Sequence, residues 1–390
     1  MRLTSIDALR GMAILGILLM NIPFHANLEL GYVPFSPILL SDQVMTLFHS
    51  IFADGRFRTL FCLLFGAGLA IQYDSCIRKE VDPKIFIKSR LKWLFVFGFI
   101  HGVFVFGGDV LMLYSLVGYF LIDGLSLDNK GLLQKSRKFL IIGCTIIFII
   151  AMLMLIFSDP SERVVRGTEE YFESVAYWQG NWGYQTMINA GFSIGLLILS
   201  PLFNLWQALG LMYLGSYLYR SGFFIQGFSR SVLVKISILA VVSTLLCIAP
   251  QIFIKDIDSE VIPAFSSISA IFVALVYAHI VVKLCQSKSR IMSVLANTGK
   301  VAFSLYILQS IAMGILLRWL IPEFSLEATH LDYLLIVIAF TVIQIVIGQL
   351  YLYKFKQGPL ELLWRSLYNR SIHKALRDHI AERGSEARCK

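Results

Sequence analysis

Charge is scarce in this sequence. Of 390 residues only 15% are Asp, Glu, Lys or Arg, whereas 57% are apolar; soluble domains average roughly 25% and about 45–50%. A shortage of that size excludes a water-soluble globule with a charged surface, and also a disordered chain, which needs more charge still. Proline is rare too, at 10 residues, which removes collagen-like and proline-rich architectures. The six cysteines (Cys62, Cys76, Cys144, Cys247, Cys285 and Cys389) include no C-x-x-C pair. Apolar fillers and free thiols are therefore expected, with no metal site and no disulfide framework. The formal net charge is +9, yet no basic-aromatic stripe lies outside the apolar runs, so nucleic acid is not an expected partner.

What the chain has instead is apolar length. Ten segments, at approximately 8–24, 52–73, 91–106, 109–127, 139–157, 190–219, 231–254, 262–284, 301–319 and 332–353, approach or reach the length that crosses a bilayer. The expectation is an all-α polytopic membrane bundle of about ten transmembrane helices. With the N-terminus inside, 28 of the 34 Lys and Arg fall in cytoplasmic segments; Arg56, Arg58, Arg163, Arg166, Lys255 and Arg318 remain outside or near the outer mouth. Both termini are thus expected in the cytoplasm, with the lipid bilayer as partner. The first run lacks a small-x-small cleavage site and reads as a retained span. Residues 1–353 read as one transmembrane domain. Within it, 158–189 is an acidic, aromatic outer interfacial segment, and after it 354–390 is a basic, helical cytoplasmic tail.

Polar side chains within apolar runs are costly, and each is a candidate for function. The third and fourth runs form a shallow hairpin turning at Gly107-Gly108. At about 1.5 Å per residue His101 lies roughly 15 Å from the cytoplasmic end, near the bilayer midplane, and Asp109 follows the turn. A His and an Asp on one cavity form a base with its orienting carboxylate; the alternative is a structural His and a helix-capping Asp. Arg56 and Arg58 at an outer mouth suit an anionic group, or snorkel with Asp54 as partner. Asp7 and Arg10, three apart, form an ion pair or face the head of a cytosolic cofactor. Asn21 and Gln309 join the substrate-binding candidates, with interhelical hydrogen bonding the competing reading for Gln309, Asn204, Gln207, Gln344 and Gln349. His25 and His49 are weaker candidates in the first outer loop, and His279 reads as structural.

Several strings resemble a known family. They are Arg2…Ser5-Ile6-Asp7-Ala8-Leu9-Arg10-Gly11 through Asn21, then Thr59-Leu60-Phe61…Leu64-Phe65-Gly66-Ala67-Gly68. His101-Gly102…Gly108-Asp109-Val110-Leu111…Tyr114 and Gln357-Gly358-Pro359-Leu360-Glu361…Trp364-Arg365 follow in the same order. Together they resemble the YeiB-like bacterial membrane proteins over nearly the whole chain. That family is similar to the transmembrane acyltransferase superfamily, and the resemblance implies acyl transfer from a cytosolic thioester to an acceptor at or beyond the membrane. One departure is Phe106, where relatives often carry Trp.

The leading expectation is a membrane-embedded acyltransferase of a bacterial inner membrane. Acyl-CoA or acetyl-CoA is the co-substrate, drawn to Asp7, Arg10 and Lys92 on the cytoplasmic side. His101, oriented by Asp109, is the base, and Arg56, Arg58, Asn21 and Gln309 bind a sugar, lipid or amine acceptor. The alternative is a proton-coupled transporter or flippase with His101 as proton carrier, favoured by helices broken in matched halves. A scaffold without chemistry is the third reading. Small-residue faces are compatible with a homodimer.

Overall fold

The computed structural model describes residues 3–157, 164–253, 261–287 and 289–386, with side chains omitted at 261, 263 and 373–386. Among them every regular element is helical. They run α1 (Thr4–Ala26), α2 (Leu40–Phe52), α3 (Arg56–Arg78), α4 (Pro83–Phe104) and α5 (Leu111–Leu121), which ends in a 3-10 turn (Ile122–Ser126). Then come α6 (Asn129–Phe157), α7 (Glu169–Gly180), α8 (Trp182–Phe203), α9 (Leu205–Arg220), α10 (Phe223–Gln226), α11 (Arg230–Phe253) and α12 (Val261–Gln286). Last are α13 (Arg290–Lys300), α14 (Ala302–Ile315) with a π-helical turn (Leu316–Leu320), α15 (Phe324–Glu327), α16 (His330–Lys354) and α17 (Pro359–Glu386). Arg2, Arg163, Lys255 and Cys389 lie outside the described residues; the five described cysteines are free.

Eight stretches among the described residues are long and apolar enough to cross a membrane: α1, α2 joined to α3, α6, α8, α11, α12, α14 with its π turn, and α16. The molecule is a polytopic helical membrane protein. Lipid-facing flanks are visible as exposed Ile141, Phe148, Leu153, Leu245 and Leu246 on α6 and α11. The hairpin of α4 and α5 is less apolar and shorter: α4 opens with Lys84, Lys88, Arg90 and Lys92. Its start is set locally, since Asp82 caps the helix by accepting from Lys84 N (2.7 Å) and Ile85 N (3.3 Å), with Pro83 at the first helical position.

Two expected spans are interrupted. The run at 190–219 is two helices parted at Asn204. Pro201 has no N–H for the Leu197 carbonyl, the Ser200 hydroxyl takes that carbonyl instead (2.8 Å), and α8 ends two residues later. The run at 52–73 begins earlier than expected, with α2 descending to a break at Ala53–Gly55 where Gly55 has φ +74°. Phe57 therefore lies against Gly16, the middle of α1, and Arg56 is fully buried and Arg58 half-buried.

Glycines bring backbones into contact. A side chain on Gly11 would strike the Leu295 carbonyl, on Gly299 the Asp7 carbonyl, and on Gly66 the Met212 carbonyl. Thus α1 crosses α13, and α3 runs alongside α9 from Arg58–Asn204 (2.8 Å) to Asp74–Arg220 (2.7 Å). Gly299→Val should force α1 from α13, because its Cβ would fall 1.8 Å from the Asp7 oxygen. Overpacking of this kind costs about 1–3 kcal/mol or more; thermal unfolding in detergent should show a lowered Tm, and an unchanged Tm would contradict the packing.

Candidate functional site

The hairpin turn between α4 and α5 builds the centre of the site. His101 lies one turn from the end of α4, and its carbonyl accepts from Val105 N and Phe106 N, closing the helix. Asp109 lies just ahead of α5 and accepts from Leu111 N (2.8 Å) and Met112 N (3.3 Å) through Oδ2. Its other oxygen, Oδ1, meets His101 Nδ1 at 2.8 Å and accepts from the Tyr306 hydroxyl of α14 at 3.2 Å. His101 and Asp109 are 2% and 4% exposed, so the pair is sealed inside the protein. The carboxylate fixes the imidazole through Nδ1, leaving Nε2, which has no hydrogen-bond partner among the described residues, for chemistry. Small residues make this possible: Gly98 lets the Met112 backbone approach α4, and Gly102 lets Ser193 of α8 do so. From α8, Asn189 Oδ1 accepts from Gly107 N (2.9 Å) and the Ser193 hydroxyl donates to Gly107 O (3.0 Å), satisfying the turn's backbone.

On one side of His101 lie His25, Phe106, Arg318 and Trp178. The His25 ring packs on Phe106 at 4.0 Å and His101 meets its edge at 6.4 Å. Arg318, in the π-helical turn after α14, donates Nε to His25 O (2.8 Å) and Nη1 to Val105 O (3.4 Å), with Trp178 of α7 4.9 Å over its guanidinium.

On the opposite side a cavity of about 260 Å³ reaches inward between α1, α3, α4, α5 and α14. Its mouth is polar, carrying Arg10, Gln72, Arg90, Lys300, Glu361 and Trp364. Its interior is apolar (Ile14, Phe61, Leu64, Leu94 and Leu111 among others), and Tyr306 and Tyr114 stand among its walls. The α17 helix completes the mouth. Glu361 accepts from Phe303 N (2.8 Å), Ser304 N (3.2 Å) and the Ser304 hydroxyl, capping α14 from outside the helix. Trp364 donates to Arg90 O (3.1 Å) and carries the Arg90 guanidinium 4.4 Å from its ring.

The other expected residues are distributed as follows. Asp7 and Arg10 pair at 3.2 Å, and Arg10 also lines the cavity mouth. Lys92 is exposed and does not line the cavity; Arg90, two residues earlier and so on another face of α4, does. Arg56 is fully buried, donating to Asp54 O (2.5 Å), Ser266 O (3.3 Å) and Ser269 Oγ (2.8 Å), while Arg58 donates to Asn204 and Gln207. Neither reaches the cavity or His101's partners. Gln309 bonds Ile14 O (2.9 Å) and Gln344 (2.8 Å), an interhelical lock between α14, α1 and α16, and Asn21 is half-buried on α1. His49 belongs to a separate cluster with Tyr32, Asp42 and His330, where burial and Asp42 push the Tyr32 phenol well above its usual range. His279 accepts from Phe228 N, a structural role. Among the described residues no group of three His, Cys, Asp or Glu is placed to hold a metal. Tyr306, Arg90, Lys300, Glu361, Trp364, Trp178 and Arg318 were not singled out by sequence. Of these, Glu361 and Trp364 carried a signal as members of the last family string, and Arg318 as one of the six basic residues expected outside or near the outer mouth.

The fold and the buried His–Asp–Tyr centre define a polytopic membrane protein with a candidate active site inside the bundle. Residues 218–371 match the model of a family described as protein of unknown function (DUF418). The chain is 29% identical to "Uncharacterized protein YeiB" of Escherichia coli (strain K12), covering 96% of this chain and 98% of that one. It is also 26% identical to "Uncharacterized protein YxaH" of Bacillus subtilis (strain 168), covering 94% of each. A third relative, the "Uncharacterized 39.9 kDa protein in amylase 3'region" of Bacillus acidopullulyticus, is 25% identical over 95% of each chain. The chain is thus similar over nearly its whole length to YeiB, and its residues 218–371 match the DUF418 model. The matched segment supplies Tyr306, Arg318, Lys300 and Glu361, whereas His101 and Asp109 lie before it.

Because Asp109 holds both His101 and Tyr306, Asp109→Ala should orphan two buried side chains and the start of α5. It should destabilise the protein by about 3 kcal/mol or more, against roughly 1 kcal/mol for Tyr306→Phe. Equal Tm losses for the two variants would contradict the shared carboxylate.

Proposed function

We propose that the protein is a membrane-embedded acyltransferase, moving an acyl group from a cytosolic acyl-CoA to a hydroxyl or amine of a membrane or envelope acceptor. The observation that carries this reading is one continuous line of groups. The basic-mouthed cavity has Tyr306 in its wall, Tyr306 bonds Asp109, and Asp109 bonds His101. Donor phosphates meet Arg10, Arg90 and Lys300 at the mouth. The thioester arm lies along the interior with its reactive carbonyl toward Tyr306. The acceptor approaches His101 Nε2, which takes its proton as the acceptor attacks the carbonyl. The C–S bond breaks, CoA leaves as thiolate, and the imidazolium returns the proton to it. The wider reading has the chain crossing a bacterial inner membrane ten times, α4 and α5 included, with both termini in the cytoplasm.

A second reading is transport of a small anionic or lipid substrate. It is favoured by the two interrupted helices, whose breaks at 53–55 and Asn204 meet in a polar layer of Arg56, Arg58, Gln207, Ser266 and Ser269. Broken helices with buried charge mark substrate sites in many transporters.

Transfer from a panel of CoA thioesters separates the two. His101→Ala should lower transfer about 10²–10⁴-fold while thioester affinity stays within about twofold. Gly68→Phe should instead lose binding and transfer together. Gly68 lines the cavity and a Cβ there meets nothing within 4 Å, so the ring fills the cavity without disturbing the fold, and thioester binding is lost. Unimpaired transfer by His101→Ala would remove the acyltransferase mechanism, and substrate uptake into proteoliposomes without transfer would establish the second reading.

A further inference from the structure

Four buried nitrogens without a hydrogen-bond partner among the described residues occur on neighbouring side chains at one end of the bundle. They are Trp178 Nε1, Arg318 Nη2, His25 Nδ1 and His101 Nε2. The four residues are 0%, 7%, 1% and 2% exposed. Their contacts form a chain: Trp178 covers the Arg318 guanidinium, Arg318 holds the His25 carbonyl, and Phe106 lies against both His25 and His101. Buried polar groups left unpaired are rare and call for an explanation. Here the character of the groups supplies one. An indole N–H and a guanidinium can only donate, and His25 can donate from Nδ1, whereas His101, whose Nδ1 faces the Asp109 carboxylate, offers Nε2 as a base. What the first three groups lack is an acceptor.

They also lack a negative charge. No acidic side chain among the described residues is within ion-pair distance of Arg318, whose recorded partners are two backbone carbonyls and the face of an indole. A buried guanidinium without a counter-charge is strongly disfavoured, and water would satisfy its hydrogens but not its charge. A planar donor fork beside two imidazoles matches the geometry of a carboxylate or phosphate group.

We propose that Arg318, His25 and Trp178 form an oxyanion-binding subsite beside His101, taking a carboxylate or phosphate group. The acceptor's anionic group is its occupant, an assignment that rests on the acyltransferase reading. The site brings the acceptor to His101 Nε2 from the side opposite the donor cavity. Its cover is α7, which is tied to the loop after α14 by Gln179 Nε2 to Pro322 O (2.6 Å) and by the Tyr171 hydroxyl to Ser325 O (3.2 Å).

The test uses the full chain in detergent with no thioester present, so that it reads the subsite apart from acyl transfer. Tm is followed at constant pH and ionic strength while potassium chloride is replaced, in separate series, by inorganic phosphate, acetate or dihexanoyl phosphatidate. At least one oxyanion should raise Tm, and the rise should continue with the logarithm of concentration once the site is filled. Response to phosphate or acetate identifies a soluble source and response to the phosphatidate alone a lipid source; either supports the site. Arg318→Gln and His25→Gln should each weaken the apparent affinity at least about tenfold. Trp178→Phe, which keeps the packing and removes one donor, gives the same readout if Arg318→Gln does not fold. The proposal is overturned if no oxyanion raises Tm above chloride, or if the rise is the same in the folded variants.

Discussion

One buried carboxylate holds the candidate site together. Asp109 receives His101 of α4, the hydroxyl of Tyr306 from α14 and two amides that begin α5. In a low-dielectric interior each of those contacts is strong, and each is costly to lose. The carboxylate therefore fixes three things at once: the hairpin turn, the orientation of the imidazole, and the approach of α14 to α4. It also divides the interior. The cavity with the basic mouth lies on the Tyr306 side, and the cluster of His25, Arg318 and Trp178 lies on the other.

The rest of the bundle keeps that carboxylate in place. Glu361 from α17 caps α14, the helix that carries Tyr306, and Trp364 anchors α17 on the α4 backbone near Arg90. Gly11 and Gly299 let α13 cross α1 at backbone contact, which sets the base from which α14 rises. Asn189 and Ser193 of α8 satisfy the buried Gly107 backbone at the hairpin turn. Read through these contacts, the shared family strings are chiefly statements about packing. Gly11, Gly66 and Gly102 are close approaches, Glu361 is a cap, and only His101 with Asp109 combines strict burial with an unsatisfied nitrogen.

Much of this was legible in the sequence and some was not, for physical reasons. The all-helical membrane architecture followed from apolar length, and the His101–Asp109 pair followed from two costly groups flanking a short turn. The Gln309 lock among α14, α1 and α16 agrees with the interhelical alternative. Pro201 was visible as a possible interruption, but the breaks themselves were hard to place because a window of twenty residues averages over a single lost backbone bond or a single positive-φ glycine. Arg56 was expected at a mouth because charge usually marks an interface, yet Ser266 and Ser269 on α12 provide its partners in the interior. Lys92 and Arg90 differ only in helix face, which depends on a neighbour more than 200 residues away in α14 and α17. Tyr306 was silent, and Arg318 registered only as a charge near a mouth, because their significance comes from what they touch across the fold.

The most direct measurement of the central claim is an experimental structure of the full chain with a thioether analogue of an acyl-CoA, which cannot release its acyl group. The account predicts the phosphates among Arg10, Arg90 and Lys300, and the carbon in place of the thioester carbonyl beside Tyr306, with the His101–Asp109 bond intact. An analogue bound elsewhere, or a cavity that stays empty at saturating analogue, would contradict it.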